Sequence, residues 1–193
     1  MAKLYFRYGA MNSGKSTLII QTAYNYEERN QNVLLLKPTV DIKDPAVLSR
    51  IGARRAVDIH IDSSMDVYKE IAELLQHQPI HCILVDEVQF LSPLQIEQLL
   101  LIVVRLDIPV MGFGLRTDFQ TKGFPGATRL LELAHSVEEM KTICRCGVKA
   151  VFNGRKINGK FVSQGDQVAI DGHAVEYESL CARCYDTEIG LTM

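Results

Sequence analysis

An eight-residue stretch near the start of the chain has the composition of a phosphate-binding loop. Residues 9–16 read GAMNSGKS and fit the pattern G-x-x-x-x-G-K-S/T. The glycines let the backbone turn its N–H groups toward phosphate oxygens, and a following helix adds partial positive charge at its N-terminus. In such a loop Lys15 bridges the β- and γ-phosphates, and Ser16 coordinates Mg²⁺. The predicted ATP-binding residues of the loop are Gly9, Ala10, Met11, Asn12, Ser13, Gly14, Lys15 and Ser16.

Two neighbouring carboxylates form the second candidate group. Asp86 and Glu87 directly follow the apolar run CILV at 82–85. Ligands of open α/β sheets bind at the carboxyl ends of the strands, so these side chains are expected near the phosphates. Asp86 would help to hold Mg²⁺, and Glu87 could take a proton from a nucleophile that attacks the γ-phosphorus. The pair fits an ATPase that activates water as well as a kinase that activates a hydroxyl group of its substrate. The alternative is that both are solvated acidic side chains at a strand end, without a catalytic role.

Four cysteines in the last third of the chain predict a metal site. They occur as C-x-C and C-x-x-C pairs, at Cys144, Cys146, Cys181 and Cys184. Four thiolates can hold tetrahedral Zn²⁺ with no open position, which makes such a site structural. Disulfides are disfavoured in a cytosolic protein, and a set of reduced thiols without metal is the other alternative. The remaining Cys82 lies in an apolar run and is expected to be an ordinary buried side chain.

The elements that must position these groups alternate between strand and helix. Strands are predicted at 3–8, 33–37, 56–61, 82–85 and 109–113. A first helix is predicted at 15–29, and a second one begins after a cap at Ser63 or Ser64. A third is predicted at 94–106, where the sequence is apolar nearly all round and burial is expected. Residues 38–56 are expected to be a loop-rich insertion. We therefore predict an α/β fold of the P-loop NTPase type (RecA-like), with a parallel sheet flanked by helices.

A change in composition divides the chain near residue 141. Helical periodicity ends there, and glycine becomes frequent between the cysteine pairs. We predict an ATP-binding α/β domain at 1–140 and, at 141–193, a small zinc-ribbon-like module with a lid loop. Such a module is too small to be stabilised by an apolar core alone.

Composition and charge exclude several classes of protein. The chain has 193 residues, 47% of them hydrophobic, and a net charge of −2, which indicates no extended basic surface for nucleic acid. Its longest apolar run, 99–104, is too short to span a membrane, and the N-terminus does not resemble a secretory signal. We expect a cytoplasmic protein without a membrane or nucleic-acid partner.

Several motifs together resemble the cytosolic thymidine kinases of the type II family. The most specific are MNSGKS at 11–16, DEVQF at 86–90 and GLRTDF at 114–119. The chain is similar to that family also at 37–41 (KPTVD), 49–52 (SRIG), 130–134 (LLELA) and in the cysteine pairs with Tyr185. The resemblance covers nearly the whole chain, with the motifs in the same order.

The resemblance implies transfer of the γ-phosphoryl group of ATP to the 5′-hydroxyl of thymidine or deoxyuridine, with Mg²⁺. It assigns the role of general base to Glu87. Outside the loop, the implied ATP and magnesium residues are Asp41, Arg50, Asp86 and Gln89. The implied nucleoside residues are Met11, Phe90, Leu115, Phe119 and Tyr177, with a covering loop from about 156 to 176. The resemblance also implies a homotetramer that is inhibited by dTTP.

Some positions depart from the family pattern. Asn153 stands where the family has a threonine facing the nucleoside, and the lid sequence at 170–172 is IDG, with one extra residue before Tyr177. The first cysteine pair is also tighter than the usual C-x-x-C. Arg116 and Asp118 are expected to orient the pocket through hydrogen bonds, whereas Arg54 and Arg55 are expected to be solvated.

Two other functions fit parts of the sequence. One is a P-loop ATPase with a zinc ribbon that acts on nucleic acid, for which the net charge of −2 gives little support. The other is a zinc-ribbon binding module with a vestigial phosphate loop, which leaves the paired carboxylates and the aromatic residues unexplained.

Overall fold

The computed structural model describes residues 1–41, 46–49, 52–167 and 175–191, and six strands of these ranges form a parallel sheet. The strands of the described chain are β1 (Leu4–Tyr8), β2 (Val33–Pro38), β3 (Ala46–Leu48), β4 (Arg54–Ala56), β5 (Ile59–Ile61), β6 (Cys82–Val85), β7 (Val110–Gly114), β8 (Ser136–Glu139), β9 (Thr142–Ile143), β10 (Lys149–Ala150), β11 (Phe152–Ile157), β12 (Lys160–Val162) and β13 (Val175–Leu180). The parallel sheet has the order β5-β2-β6-β7-β1-β8. One strand, β7, therefore separates the strand before the phosphate loop from the strand before the paired carboxylates.

Helices cover both faces of this sheet. They are α1 (Lys15–Glu27), α2 (Val67–Leu74), α3 (Pro93–Leu106), α4 (Pro125–Leu133) and α5 (Ala182–Glu188), with 3₁₀ turns at Thr39–Asp41 and Val88–Phe90. Along β6, Ile83 and Val85 pack in one apolar cluster and Cys82 and Leu84 in another, because successive side chains of a strand point to opposite faces. The predicted α/β class with a helix-flanked parallel sheet is confirmed.

The helix predicted at 94–106 is less buried than its nearly continuous apolar sequence predicts. Leu94 and Val104 of α3 are 63% and 62% exposed. Only the stripe that includes Ile96, Leu99 and Ile102 enters the core, since one face of a helix can contact a sheet. The apolar composition of this segment therefore predicted more burial than the helix has.

The cap of α2 also differs from the prediction. Asp66, rather than Ser63 or Ser64, accepts a hydrogen bond from the Lys69 N–H at 3.0 Å. Ser64 instead turns toward Asp62, whose carboxylate accepts from both its N–H and its hydroxyl. A short polar turn thus precedes the helix.

Arg55 is bound to the edge of the sheet, contrary to its predicted solvation. The insertion at 38–56 contains the hairpin β3–β4, and Arg55 of β4 donates to Glu27 at 2.8 Å, Asp58 at 2.9 Å and the Val33 carbonyl at 3.1 Å. The strand predicted at 56–61 is interrupted at 57–58, so that β4 ends at Ala56 and β5 begins at Ile59. Through the bonds of Arg55 the hairpin is fastened beside α1 and the phosphate loop.

The C-terminal part forms small antiparallel sheets. Strands β12-β11-β13 make one and β10-β9 another, and Leu180 and Tyr185 pack there among the cysteines. The predicted lid loop begins instead as a hairpin, turning at Asn158-Gly159 with positive φ at both residues, a combination typical of two-residue turns. The parallel sheet ends at Glu139 and the first C-terminal strand begins at Thr142, so the predicted boundary at 140/141 lies between two sheets. The division into two domains stays a prediction. No helix of the described chain has the length and hydropathy to cross a membrane.

Close packing at Gly126 positions α4 against the turn after Glu87. A Cβ at Gly126 would lie 2.3 Å from the Leu91 carbonyl oxygen and 2.9 Å from that of Gln89. We expect Gly126→Ala to lower the free energy of unfolding by about 1–3 kcal/mol despite the better helix propensity of alanine, because backbone atoms must move apart. Urea unfolding measures this, with Glu132→Ala on the exposed side of α4 as control; equal stability of the two variants would contradict it.

Candidate active site

The phosphate loop joins β1 to α1 and is closed around the Lys15 ammonium. Gly14 has φ of 82°, and a Cβ at Gly9 would lie 2.4 Å from the Met140 carbonyl oxygen, so both positions require glycine. Lys15 is 8% exposed and donates to the carbonyls of Gly9 at 3.3 Å and Ala10 at 3.1 Å. Burial lowers the pKa of Lys15, although Glu87 and Asp86 oppose the shift. The loop therefore presents a buried amino group at the N-terminus of a helix.

The paired carboxylates lie at the carboxyl end of β6. Asp86 is 5% exposed, and burial, followed by repulsion from Glu87, raises its pKa to about 7, while Lys37 and Lys15 act in the opposite direction. Glu87 is less buried and adopts a left-handed conformation with φ of 48°. Non-glycine residues in this conformation are uncommon, and they cluster at functional sites.

Gln89 joins Glu87 to the start of the 115–119 segment. Its amide nitrogen donates to Glu87 Oε2 at 2.5 Å, and its Oε1 accepts from the Leu115 N–H at 3.0 Å. The side chain is almost fully buried, and Gly114 leaves room for it, since a Cβ there would lie 2.2 Å from Gln89 Oε1. Gln89, which was predicted to bind ATP, thus has its side chain hydrogen-bonded to the candidate base Glu87. Its contact with ATP stays a prediction.

One cleft brings the phosphate loop, Glu87 and a predicted nucleoside residue together. It has a volume of about 360 Å³. Its lining consists of Met11, Asn12, Ser13, Gly14, Lys15, Ser16, Thr17, Leu48, Glu87 and Leu115. The carboxylate of Glu87 therefore faces the same space as the residues that would hold a triphosphate. Leu48, from the hairpin β3–β4, is a lining residue that the sequence analysis did not predict.

Phe119 and Tyr177, predicted to bind the nucleoside, are joined by Arg155. The Arg155 guanidinium lies 3.7 Å from the centroid of the Phe119 ring, and its Nε donates to the Tyr177 hydroxyl at 2.9 Å. Its other nitrogens donate to the carbonyls of Asp166 at 2.7 Å and Gln167 at 2.9 Å. This buried cation, 3% exposed, thus organises the described start of the predicted covering loop.

Phe90 lies in a neighbouring cavity of about 520 Å³. Its ring packs edge-on against Phe124, with centroids 5.5 Å apart. Gln167 also lines this cavity and donates at 3.0 Å to Asp118, which is itself turned inward by the N–H groups of Gln120 and Lys122. Of the aromatic residues predicted to hold the base, Phe90 therefore lines this cavity, whereas Phe119 is 1% exposed and packs under Arg155.

Two predicted residues cannot be placed in the site. Arg50 lies outside the described residues, as do positions 168–174 of the predicted covering loop. Asp41 ends the 3₁₀ turn Thr39–Asp41 after β2, and only its backbone is described.

The four predicted metal ligands come together. The sulfur atoms of Cys144, Cys146, Cys181 and Cys184 all lie within 4.8 Å of one another. The turn between β9 and β10 supplies one pair, and the start of α5 supplies the other. Hydrogen bonds to the sulfurs of the other three raise the pKa of Cys184 to about 12, so a metal that binds all four thiolates must displace protons. The donor set and its compactness fit structural Zn²⁺.

The family of the chain follows from comparison with known proteins. A family model described as thymidine kinase matches residues 2–185. The chain belongs to the thymidine kinase family. A thymidine kinase of Pasteurella multocida is 46% identical, covering 99% of this chain and 100% of its own length. The thymidine kinase of Mesorhizobium japonicum is 46% identical, covering 98% of this chain and 94% of its own length. That of Vibrio cholerae is 45% identical, covering 98% of this chain and 100% of its own length.

Membership in the thymidine kinase family confirms the resemblance found in the motifs. The protein is a nucleoside kinase, a phosphotransferase, and the family implies the use of ATP. The two alternatives, a nucleic-acid ATPase and a binding module with a vestigial loop, are not favoured. Arg155, Leu48 and Phe124 went unnoticed in the sequence because no local motif marks them; their contacts arise between distant segments.

The cysteine cluster generates a test of the metal. We expect the purified protein to contain about one equivalent of zinc per chain, and Cys181→Ser to lose it and to unfold at a lower temperature, because one of four ligands is missing. Metal analysis and thermal unfolding measure these effects. Cys82→Ala, which changes a cysteine outside the cluster, is expected to keep the metal; a wild-type protein that is folded and active without metal would contradict the assignment.

Proposed function

We propose that this chain transfers the γ-phosphoryl group of ATP to the 5′-hydroxyl of thymidine, giving dTMP and ADP. The observation that carries the proposal is the shared cleft, in which Glu87 faces the phosphate loop with Leu115 beside it. Membership in the thymidine kinase family supports the same substrates. The carboxylate can take the proton of the hydroxyl as that oxygen attacks the γ-phosphorus.

The donor half of the site is assigned to the phosphate loop and its neighbours. Backbone N–H groups of residues 13–16 and the helix N-terminus bind the phosphates, and Lys15 compensates the charge of the transferred group. Ser16, Asp86 and Asp41 are the residues that would hold Mg²⁺, which supplies further charge compensation when bound. Arg50 is assigned to the phosphate side from the family pattern alone.

The acceptor half is assigned to apolar and aromatic side chains. Met11 and Leu115 lie in the cleft beside Glu87, and Phe90 lines the neighbouring cavity, which suits the flat methylated ring of thymine. Phe119, which is buried under Arg155, is assigned to the base pocket from the family pattern alone. Tyr177, held by Arg155, is assigned to the sugar. The covering loop predicted at about 156–176 is assigned, on the family pattern, to cover the base and exclude water from the transfer.

Further properties are proposed on the family pattern. Deoxyuridine is expected to serve as a second acceptor, and dTTP to inhibit by occupying the acceptor and phosphate sites together. We propose a homotetramer in the cytoplasm and a structural zinc ion in the C-terminal module. The decisive assay incubates the protein with Mg-ATP and thymidine and separates dTMP by chromatography; ATP hydrolysis that is independent of thymidine would contradict the function.

The role of Glu87 is tested by Glu87→Gln, which preserves shape and removes the base. We expect kcat to fall about 10²–10⁴-fold, the contribution of a positioned base, while the affinities for ATP and thymidine change little. Steady-state kinetics and equilibrium binding separate these effects. Glu132→Gln on α4 is the matched control, and a kcat near that of the wild type in Glu87→Gln would remove Glu87 from this role.

A further inference from the structure

Two adjacent backbone residues of the phosphate loop are held by side chains from the C-terminal part of the chain. The Met11 N–H donates to Asn153 Oδ1 at 2.7 Å, and the Ser179 hydroxyl donates to the Met11 carbonyl. The Thr142 hydroxyl donates to the Asn12 carbonyl at 3.2 Å. Both polar backbone groups of Met11 are therefore bonded to residues more than a hundred positions away in the sequence.

The strands that carry Asn153 and Ser179 place the two side chains together. These residues are direct partners in the antiparallel pair β11–β13, so their side chains leave the sheet on the same face. Asn153 is 4% and Ser179 6% exposed. Ser179 lies two residues before Cys181, so the cysteine cluster anchors the same end of β13. The pair thus forms a buried clamp, which we define as Asn153 and Ser179 bound to Met11.

The loop needs such support because its backbone is in an uncommon conformation. Asn12, directly after the clamped residue, has φ of 63°, in the left-handed region. Strained backbone of this kind persists only where surrounding contacts over-determine it. Residues 13–16, whose N–H groups are suited to bind phosphate, follow immediately. A shift of Met11 would therefore be passed directly to the phosphate-binding amides.

We propose that Asn153 and Ser179 are positioning residues of the phosphoryl transfer, which hold the phosphate loop in its ATP-binding shape. Through them the C-terminal strands act on the ATP site as well as on the nucleoside. Asn153 then contributes through Met11 rather than by contact with the nucleoside. The proposal rests on one part of the proposed function, the binding of ATP by the phosphate loop. Nucleotide binding can be measured without thymidine.

Calorimetric titration with Mg-ADP tests the clamp. We expect Ser179→Ala and Asn153→Ala each to raise the Kd for ADP about fivefold, the usual effect of one lost hydrogen bond, and to raise the KM for ATP in parallel. Because Met11 also lines the cleft on the proposed thymidine side, the KM for thymidine is expected to rise by no more than the Kd for ADP. Ser179→Thr, which keeps the hydroxyl, is expected to restore ADP binding to within about twofold. Thr187→Val removes a hydroxyl of α5 that donates to the Arg183 carbonyl of the same helix, and is expected to change neither constant.

Other results would overturn the proposal. A higher KM for thymidine with unchanged ADP affinity would make the pair nucleoside contacts, and a lower unfolding temperature with both constants unchanged would make it purely structural. If Asn153→Ala does not fold, the comparison of Ser179→Ala with Ser179→Thr decides alone. A wild-type protein that binds ADP but phosphorylates no thymidine would contradict the proposed function, while the ADP titrations would still test the clamp.

Discussion

A buried carboxyl group at the end of β6 sets the arrangement of the site. Asp86 is shielded from water and interacts with Lys15 of the phosphate loop and Lys37 of β2, while Glu87 repels it. Burying a charge is costly unless opposite charges compensate it, so these groups stabilise one another only in the observed strand order, in which β2 pairs with β6 and a single strand, β7, separates β6 from β1, the strand before the phosphate loop. The strand order of the sheet thus determines whether the buried carboxyl group of Asp86 meets the lysines that compensate its charge.

Side chains that connect distant segments complete the site around this charge cluster. Gln89 fixes the carboxylate of Glu87 relative to Leu115, and Arg155 fixes Tyr177 relative to Phe119. The partners of Arg155 in the described chain are neutral carbonyls, a hydroxyl and aromatic faces, each of which accepts from or packs against a guanidinium. The candidate base and the candidate nucleoside residue Tyr177 are therefore oriented through hydrogen bonds between distant segments.

Predictions from the sequence succeeded where a property depends on neighbouring residues. The strand at 82–85 has the predicted bounds, and the four cysteines meet as expected. They failed where the property depends on what packs nearby: Leu94 and Val104 are exposed because they lie outside the stripe of α3 that enters the core, and Arg55 is bound because Glu27 and Asp58 flank it. Whether a side chain is buried or solvated is decided by its tertiary neighbours.

The sequence by itself determined the fold class, the phosphate loop, the paired carboxylates, the cysteine cluster and the family, since each depends on residue types at short spacings. Only the tertiary structure decided that Gln89 binds the carboxylate of Glu87 and that Asn153 and Ser179 bind the loop at Met11. The physical reason is separation along the chain. Asn153 is 142 and Ser179 is 168 residues from Met11, and hydrogen bonds across such distances leave no periodic or local pattern in a sequence.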